Sequence, residues 1–144
     1  MTVIEASKQR QSIRAYQDKA VELEKITRIL DVARHSPPGV NTQPWQVAVV
    51  SGQSKQRLQK RLETAFRNGD KSQMAYQYYP NGWEEPYKAR RLACGLALYS
   101  ALGIERKDKQ RQLDQRAANF RSFDAPVMLL FFMDPIMSTG SYLD

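Results

Sequence analysis

The chain has 144 residues, of which 42% are hydrophobic and 26% charged, as in an ordinary soluble globular domain. Twenty-two lysines and arginines against fifteen acidic residues give a net charge of +7, which favours an anionic partner such as a phosphate, a nucleotide or a nucleic acid. A single cysteine excludes an internal disulfide, and the lack of a signal-like or membrane-spanning apolar run leads us to expect a cytoplasmic protein with no membrane partner.

Apolar spacing and helix-end signals predict five helices and two strands within one domain, residues 1–144. The predicted elements are a capped helix from Val3 to Lys8 or Arg10, a helix from Val21 to Arg34, a strand from Trp45 to Val50, helices from Ser54 to Arg67, from Pro86 to Gly103 and from Asp108 to Arg121, and a strand from Val127 to Met133. A turn is expected at Ser51-Gly52, and Leu23, Ile26, Trp45 and Cys94 are expected in the core. Two strands rarely form a stable sheet alone, so this core calls for more chain or for a partner.

A basic stretch follows the first predicted helix. In extended backbone, alternate residues point the same way, which would place Arg10, Ser12 and Arg14 on one side. Two guanidiniums flanking a hydroxyl form a suitable cup for a phosphate, because arginine offers a planar fork of donors and keeps its charge. The alternative is a solvated basic turn after a helix.

The segment SPPGVNTQPW, residues 36–45, separates a helix from a strand. Pro37 and Pro38 stop the incoming helix, because proline lacks an N–H and biases the preceding residue toward extended geometry. Gly39 permits backbone angles that a side chain would forbid, and Asn41 begins a short polar run. Such a stiff polar loop suits a ligand, although it would serve equally well as a plain connection.

The stretch from Asn68 to Pro86 has no clear period and is rich in aromatic residues, among them Tyr76, Tyr78, Tyr79 and Trp83. A segment of this length without a periodic pattern is often a lid or a binding loop.

The chemistry that the chain lacks narrows its function. His35 is the sole histidine, so neither a histidine-based metal site nor a Ser-His-Asp triad is expected. No glycine-rich phosphate loop of either common kind is present. If the protein is an enzyme, a bound cofactor therefore carries the hard step.

Two motifs, taken together, resemble the FMN-dependent nitroreductase family. Residues 10–16, RQSIRAY, match its Arg-Arg-Ser-x-Arg-x-Phe pattern, with Gln11 in place of the second arginine and Tyr16 in place of the phenylalanine. Residues 37–45, PPGVNTQPW, match its Pro-Ser-x-x-Asn-x-Gln-Pro-Trp loop. Pro38 replaces the serine and so removes a hydroxyl and an N–H donor.

Three further segments resemble the branch of nitrobenzoate-reductase-like proteins: Tyr79–Pro86, Arg90-Arg91 and Asn119–Pro126. Members of the family continue beyond this point with helices, a further strand and an arm that embraces the partner subunit. The resemblance therefore implies a single nitroreductase-like domain that lacks the usual C-terminal portion.

The resemblance implies an α+β fold, in which a central antiparallel or mixed sheet is flanked by helices, and an obligate-type homodimer. The implied FMN-binding residues are Arg10, Gln11, Ser12, Arg14, Pro37, Pro38, Gly39, Asn41, Lys88 and Arg91. The basic stretch would hold the phosphate and ribityl chain, while the loop would approach the flavin from the other subunit. Lys88 or Arg91 would supply a cation near the pyrimidine edge of the flavin and stabilise its reduced anion.

The expected activity is transfer of a hydride from NADH or NADPH, through FMN, to a nitroaromatic, a quinone or a similar small aromatic acceptor. Hydride transfer at the flavin requires no catalytic side chain and no metal. Two alternatives remain open at this stage. The chain could bind flavin without turnover, or it could be a basic nucleic-acid-binding domain, which its net charge and its aromatic residues allow.

Overall fold

The computed structural model describes residues 1–70 and 76–142. Its helices are α1 (Val3–Gln9), α2 (Leu23–Ala33), α3 (Gly52–Asn68), α4 (Tyr87–Ala101) and α5 (Lys109–Ala117), its strands are β1 (Trp45–Ser51) and β2 (Val127–Met133), and 3-10 turns occupy Gly39–Asn41, Ala118–Asp124 and Thr139–Tyr142. The five predicted helices and two predicted strands are therefore all present. Part of the predicted aromatic loop, residues 71–75, and the last two residues of the chain lie outside the described residues.

The two strands form an antiparallel pair, and an antiparallel sheet was one of the two predicted kinds, antiparallel or mixed. The register places Trp45 opposite Met133 and Ser51 opposite Val127. Helix α3 packs against both strands, and the 3-10 turn Ala118–Asp124, called here the 118–124 turn, packs against α3 and α5. The packed centre of the described structure thus consists of the two strands, the helices α3 and α5, and this turn.

Several boundaries differ from the sequence prediction, among them the following. Helix α2 begins at Leu23 rather than at Val21. The turn expected at Ser51-Gly52 is a direct junction: β1 ends at Ser51, and α3 begins at Gly52, with a φ of 52°, rather than at Ser54. The last predicted helix ends as an α-helix at Ala117 and continues as the 118–124 turn.

Burial is limited to a few side chains near the sheet. Ile26 is buried as predicted, together with Met128 of β2. Leu23 and Cys94, which were expected in the core, are exposed, so that part of the prediction was wrong for the isolated chain. Trp45 is only half-buried. None of the extensive packing between the described elements involves α1, α2 or α4, and each of these helices carries large apolar side chains that are exposed.

Helix α4 shows this exposure most clearly. After Arg91 its sequence, LACGLALYSA, is apolar on nearly every side, and a helix of that kind is normally buried. Yet Leu92 and Leu96, one turn apart, are 62% and 56% exposed. None of the helices in residues 1–70 and 76–142 combines the length and apolar character needed to cross a bilayer.

Candidate functional site

The basic stretch predicted to bind a phosphate follows directly after α1. The helix begins with the predicted capping box, in which Thr2 and Glu5 exchange hydrogen bonds of 2.7 and 3.2 Å. Arg10 closes the helix by donating its backbone N–H to the Ala6 carbonyl at 2.9 Å. From there the chain leaves helical geometry, and all four predicted binding residues of the stretch are exposed; they are Arg10, Gln11, Ser12 and Arg14.

The Arg14 guanidinium has two neighbours. Its Nη1 donates to the backbone carbonyl of Ser12 at 3.4 Å, and its Cζ lies 5.8 Å from the centroid of the Phe123 ring. No carboxylate of the described residues lies within 4.0 Å of the guanidinium of Arg10 or Arg14. Both cations are therefore available to an anionic ligand, since no acidic partner in the described chain neutralises them.

Phe123 is the neighbour that sequence reasoning missed. Local patterns could not indicate it, because it is far from Arg14 in the chain and follows a stretch predicted to be regular helix. In the structure Ser122, Phe123 and Asp124 have φ values of 53°, 52° and 59°, which form an unusual run of three left-handed non-glycine residues. This backbone ends the helical segment and determines where the Phe123 ring lies.

Polar contacts with α3 hold the 118–124 turn. Arg121 Nη1 donates to Glu63 Oε1 at 2.9 Å, and Arg121 Nε donates to Asp124 Oδ1 at 3.1 Å. The ammonium of Lys55, a residue that is only 5% exposed, donates to the Arg121 carbonyl at 3.4 Å and to Gln59 Oε1 at 2.6 Å. These contacts tie Arg121, the residue before the left-handed run, to α3, and tie Asp124, the last residue of the run, to Arg121.

Glu63 lies at the centre of a charged network. The hydrogen bond from Arg67, at 2.7 Å, lowers the pKa of the Glu63 carboxyl, partial burial opposes the shift, and Arg121 adds to it. Arg67 also contacts Asp114 of α5 at 2.8 Å, and its own pKa is raised mainly by the hydrogen bond to Glu63. The network therefore ties α3 to α5 and to the 118–124 turn.

The loop that was predicted to approach the cofactor differs in one respect from expectation. The left-handed residues are Val40, Asn41 and Gln43, with φ values of 47°, 57° and 46°, and Gly39 is not among them. The backbone angles that disfavour a side chain thus occur after Gly39 rather than at Gly39 itself. Pro38 is buried and its carbonyl accepts from the Asn41 backbone N–H at 3.0 Å, whereas the Asn41 side chain is exposed.

Lys88 and Arg91, the predicted cations near the flavin, both lie exposed in the first turns of α4. The Arg91 guanidinium lies 5.3 Å from the centroid of the Trp83 ring. The centroid of the Trp83 ring lies 6.0 Å from that of Tyr79, and the Tyr79 centroid lies 4.7 Å from that of Tyr78. The described part of the predicted aromatic loop therefore contains a connected set of rings next to a cation.

An apolar groove of about 640 Å³ lies between the end of α2 and the sheet. Its walls include Trp45 directly after the loop, Phe131 and Phe132 of β2, and Tyr142. The Tyr142 ring contacts Tyr76 at 5.2 Å between centroids, so the groove and the aromatic loop are continuous. The structure thus brings the aromatic residues together. Among the described contacts, none joins the basic stretch to the loop.

This α+β arrangement is that of known flavin-dependent reductases. The structure of NfnB, an FMN- and NADPH-dependent nitroreductase from sphigopyxis sp. strain HMH, superposes with a TM-score of 0.89 at 37% identity, over 99% of this chain and 65% of that one. The FMN-dependent NfnB from Mycobacterium smegmatis, in complex with NADPH, superposes with a TM-score of 0.84 at 27% identity, over 98% of this chain and 65% of that one.

Sequence comparison gives the same result. The profile of the Nitroreductase family matches residues 7–141, and the chain therefore belongs to that family. It is 33% identical to a nitrobenzene nitroreductase of Ectopseudomonas oleovorans, over 93% of this chain and 60% of the relative. It is 34% identical to a 4-nitrobenzoate reductase of a Nocardioides species, over 93% of this chain and 58% of that relative. The predicted family is confirmed, and the chain spans about 60% of the length of these relatives.

Proposed function

We propose that the protein is an FMN-dependent oxidoreductase that passes a hydride from NADH or NADPH to nitroaromatics, quinones or related acceptors. The observation that carries this proposal is the exposed basic stretch with Arg10, Ser12 and Arg14, in a chain whose fold matches FMN-dependent nitroreductases. When it is bound, FMN would supply the group that accepts the hydride from NADH or NADPH and donates it to the acceptor.

The residues of the basic stretch fit the phosphate of FMN. A phosphate needs hydrogen-bond donors that carry positive charge and have no acidic competitor. The exposed guanidiniums of Arg10 and Arg14 meet this requirement, because no carboxylate of the described residues lies within 4.0 Å of either one. The Ser12 hydroxyl and the Gln11 amide would contribute neutral donors beside them.

The loop and helix α4 would supply the contacts to the flavin ring. Pro38 has no N–H and the Asn41 backbone N–H is already bonded, so the exposed Asn41 carboxamide is a polar group of this loop that can contact the ring. Gly39, Pro37 and Pro38 would shape the approach of the backbone. Lys88 or Arg91 would place positive charge where the reduced flavin gains negative charge, which favours hydride acceptance.

Two features support a small planar aromatic acceptor. The rings of Tyr78, Tyr79 and Trp83 form a connected aromatic set against which a planar substrate can stack. Relatives of this chain act, as their names state, on nitrobenzene, chloronitrobenzene and 4-nitrobenzoate. We propose an acceptor of the same chemical class, with quinones as further candidates.

We also propose that the protein acts as a homodimer of nitroreductase-like domains in the cytoplasm. The exposed apolar residues of α4, with Leu92 and Leu96 on neighbouring turns, require a cover in water. The small residues Cys94 and Gly95 between them would allow close helix packing. A partner subunit would also bring its own loop to the flavin held by the basic stretch.

The test is the absorption spectrum of the purified protein after incubation with FMN, followed by separation of unbound flavin. We expect a yellow protein that releases FMN on denaturation and oxidises NADH or NADPH when a nitroaromatic is added. A flavin-loaded protein without turnover would limit the function to flavin binding. A protein that stays colourless, and that binds DNA with a steep dependence on salt, would overturn the proposal in favour of a nucleic-acid-binding domain.

A further inference from the structure

We propose that Phe123 is a positioning residue for Arg14, and that its aromatic face holds the guanidinium at the phosphate of FMN. The inference rests on the proposed function and adds a residue from outside both sequence motifs. Its basis is the 5.8 Å distance between Arg14 Cζ and the centroid of the Phe123 ring, which is within the range of a cation–π contact.

The nature of this neighbour matters for the binding of an anion. A carboxylate beside Arg14 would orient the guanidinium, but it would also compete with the phosphate for the same donors. An aromatic ring orients the cation through its face and leaves the N–H donors at the edge of the guanidinium free. Arg14 Nη1 also donates to the Ser12 carbonyl, so the ring and this carbonyl restrict the side chain from two directions.

The position of the ring is itself determined by the structure. Phe123 is the middle residue of the left-handed run, a conformation that L-residues adopt only when their surroundings impose it. Arg121 precedes the run and is hydrogen-bonded to Asp124, its last residue. Arg121 is bound in turn to Glu63, and its carbonyl accepts from the buried ammonium of Lys55.

The experiment compares the affinity of the protein for FMN with its affinity for riboflavin, which has the same ring and ribityl chain but no phosphate. In Phe123→Leu we expect FMN binding to weaken about two- to fivefold, the worth of an exposed cation–π contact, with riboflavin binding unchanged. Phe123→Tyr keeps the aromatic face and should retain the affinity of the wild type for both ligands. Phe123→Met, of similar volume, replaces the leucine variant if that variant does not fold.

A matched control lies in the same turn. Phe120 stacks on Phe66 of α3 at 4.5 Å between centroids and supports the turn from another side. Phe120→Leu should therefore leave the ratio of FMN affinity to riboflavin affinity unchanged, even if it lowers stability. In an Arg14→Ala background, Phe123→Leu should no longer alter FMN binding, because its effect passes through the guanidinium.

Three results would contradict the inference. Equal weakening of FMN and riboflavin binding in Phe123→Leu would assign Phe123 a general structural role. Unchanged FMN binding in that variant, or an undiminished effect in the Arg14→Ala background, would show that Arg14 does not need the ring. Failure of the wild-type protein to bind FMN is a separate outcome, because it would overturn the proposed function and this inference together.

Discussion

Arg121 and Glu63, 58 positions apart in the chain, are joined by a 2.9 Å hydrogen bond from Nη1 to Oε1. Both side chains are mostly shielded from water, at 27% and 20% exposure. Arg67 donates to the same Oε1, so a single carboxylate oxygen joins α3 to the 118–124 turn. In a structure with few buried apolar side chains, this pair makes a substantial contribution to fixing the turn that carries Phe123.

Replacing Glu63 tests the strength of this junction. Glu63→Gln keeps the size of the side chain but removes the charge, and we expect the free energy of unfolding to fall by about 1–2 kcal/mol because two charge-assisted hydrogen bonds weaken. Urea denaturation followed by circular dichroism measures the change. Glu24→Gln, on the exposed surface of α2, is the control and should change stability by less than about 0.5 kcal/mol. A similar loss in both variants would contradict the prediction.

The same carboxylate predicts a dependence of stability on pH. The pKa of Glu63 is lowered below the ordinary value of 4.5, chiefly by the hydrogen bond from Arg67. Because the folded state binds this proton less tightly than the unfolded state, the contribution of Glu63 is fully present above the unfolded pKa and is lost as the pH falls through the folded pKa. The difference in melting temperature between wild type and Glu63→Gln should therefore shrink as the pH is lowered below about 4.5. A difference that stays constant down to pH 3 would contradict this assignment.

Removal of Arg14 tests the phosphate cup directly. We expect Arg14→Ala to weaken FMN binding by about 1.5–3 kcal/mol, the usual worth of a charge-assisted hydrogen bond, as measured by titration of the apoprotein. Arg61→Ala is the matched control, because Arg61 is exposed on α3 and no carboxylate of the described residues is paired with it. Arg121 is unsuitable as a control, since its loss would release the 118–124 turn. Equal effects of the two variants would mean that the cup is misassigned.

The sequence predicted most of the regular structure because that structure depends on local signals. The capping box of Thr2 and Glu5 was found where predicted, and the apolar run Val127–Met133 forms β2 as expected. The fold family followed from two short motifs. These features are encoded within a few residues of where they act, and so they can be recognised without knowledge of the tertiary structure.

The errors arose where tertiary contacts or backbone geometry decide the outcome. Cys94 has small apolar neighbours that indicate burial, yet whether α4 is covered depends on parts of the molecule beyond the described packing. Gly39 was singled out because glycine permits backbone angles that a side chain disfavours, but in this loop the left-handed φ values occur at residues with side chains, Val40 among them. The contact of Phe123 with Arg14 joins distant segments and has no local pattern.

Val40 offers a test of this backbone strain. Its side chain is 96% exposed, so it loses no packing on substitution, and its φ of 47° disfavours a β-branched residue. In the absence of ligand we expect Val40→Gly to raise the free energy of unfolding by up to about 1 kcal/mol, since the strain that is relieved exceeds the added entropy of the unfolded chain. Val32→Gly, in the helix α2 and also largely exposed, should instead lower it by about 0.5 kcal/mol. Equal destabilisation by both would show that Val40 is unstrained.

The last prediction concerns the exposed apolar surface of α4. If this surface forms the homodimer interface, a carboxylate at its centre must either lose its hydration or keep the subunits apart, and both outcomes oppose association. We expect Leu96→Glu to weaken dimerisation by at least about 2 kcal/mol, roughly 30-fold in the dissociation constant, as measured by sedimentation equilibrium. Ile136→Glu is the control, because Ile136 is 86% exposed in a turn after β2, away from α4 in the chain. A wild-type protein that is monomeric throughout the accessible concentration range, or a Leu96→Glu variant that dimerises as tightly as the wild type, would exclude α4 from the interface.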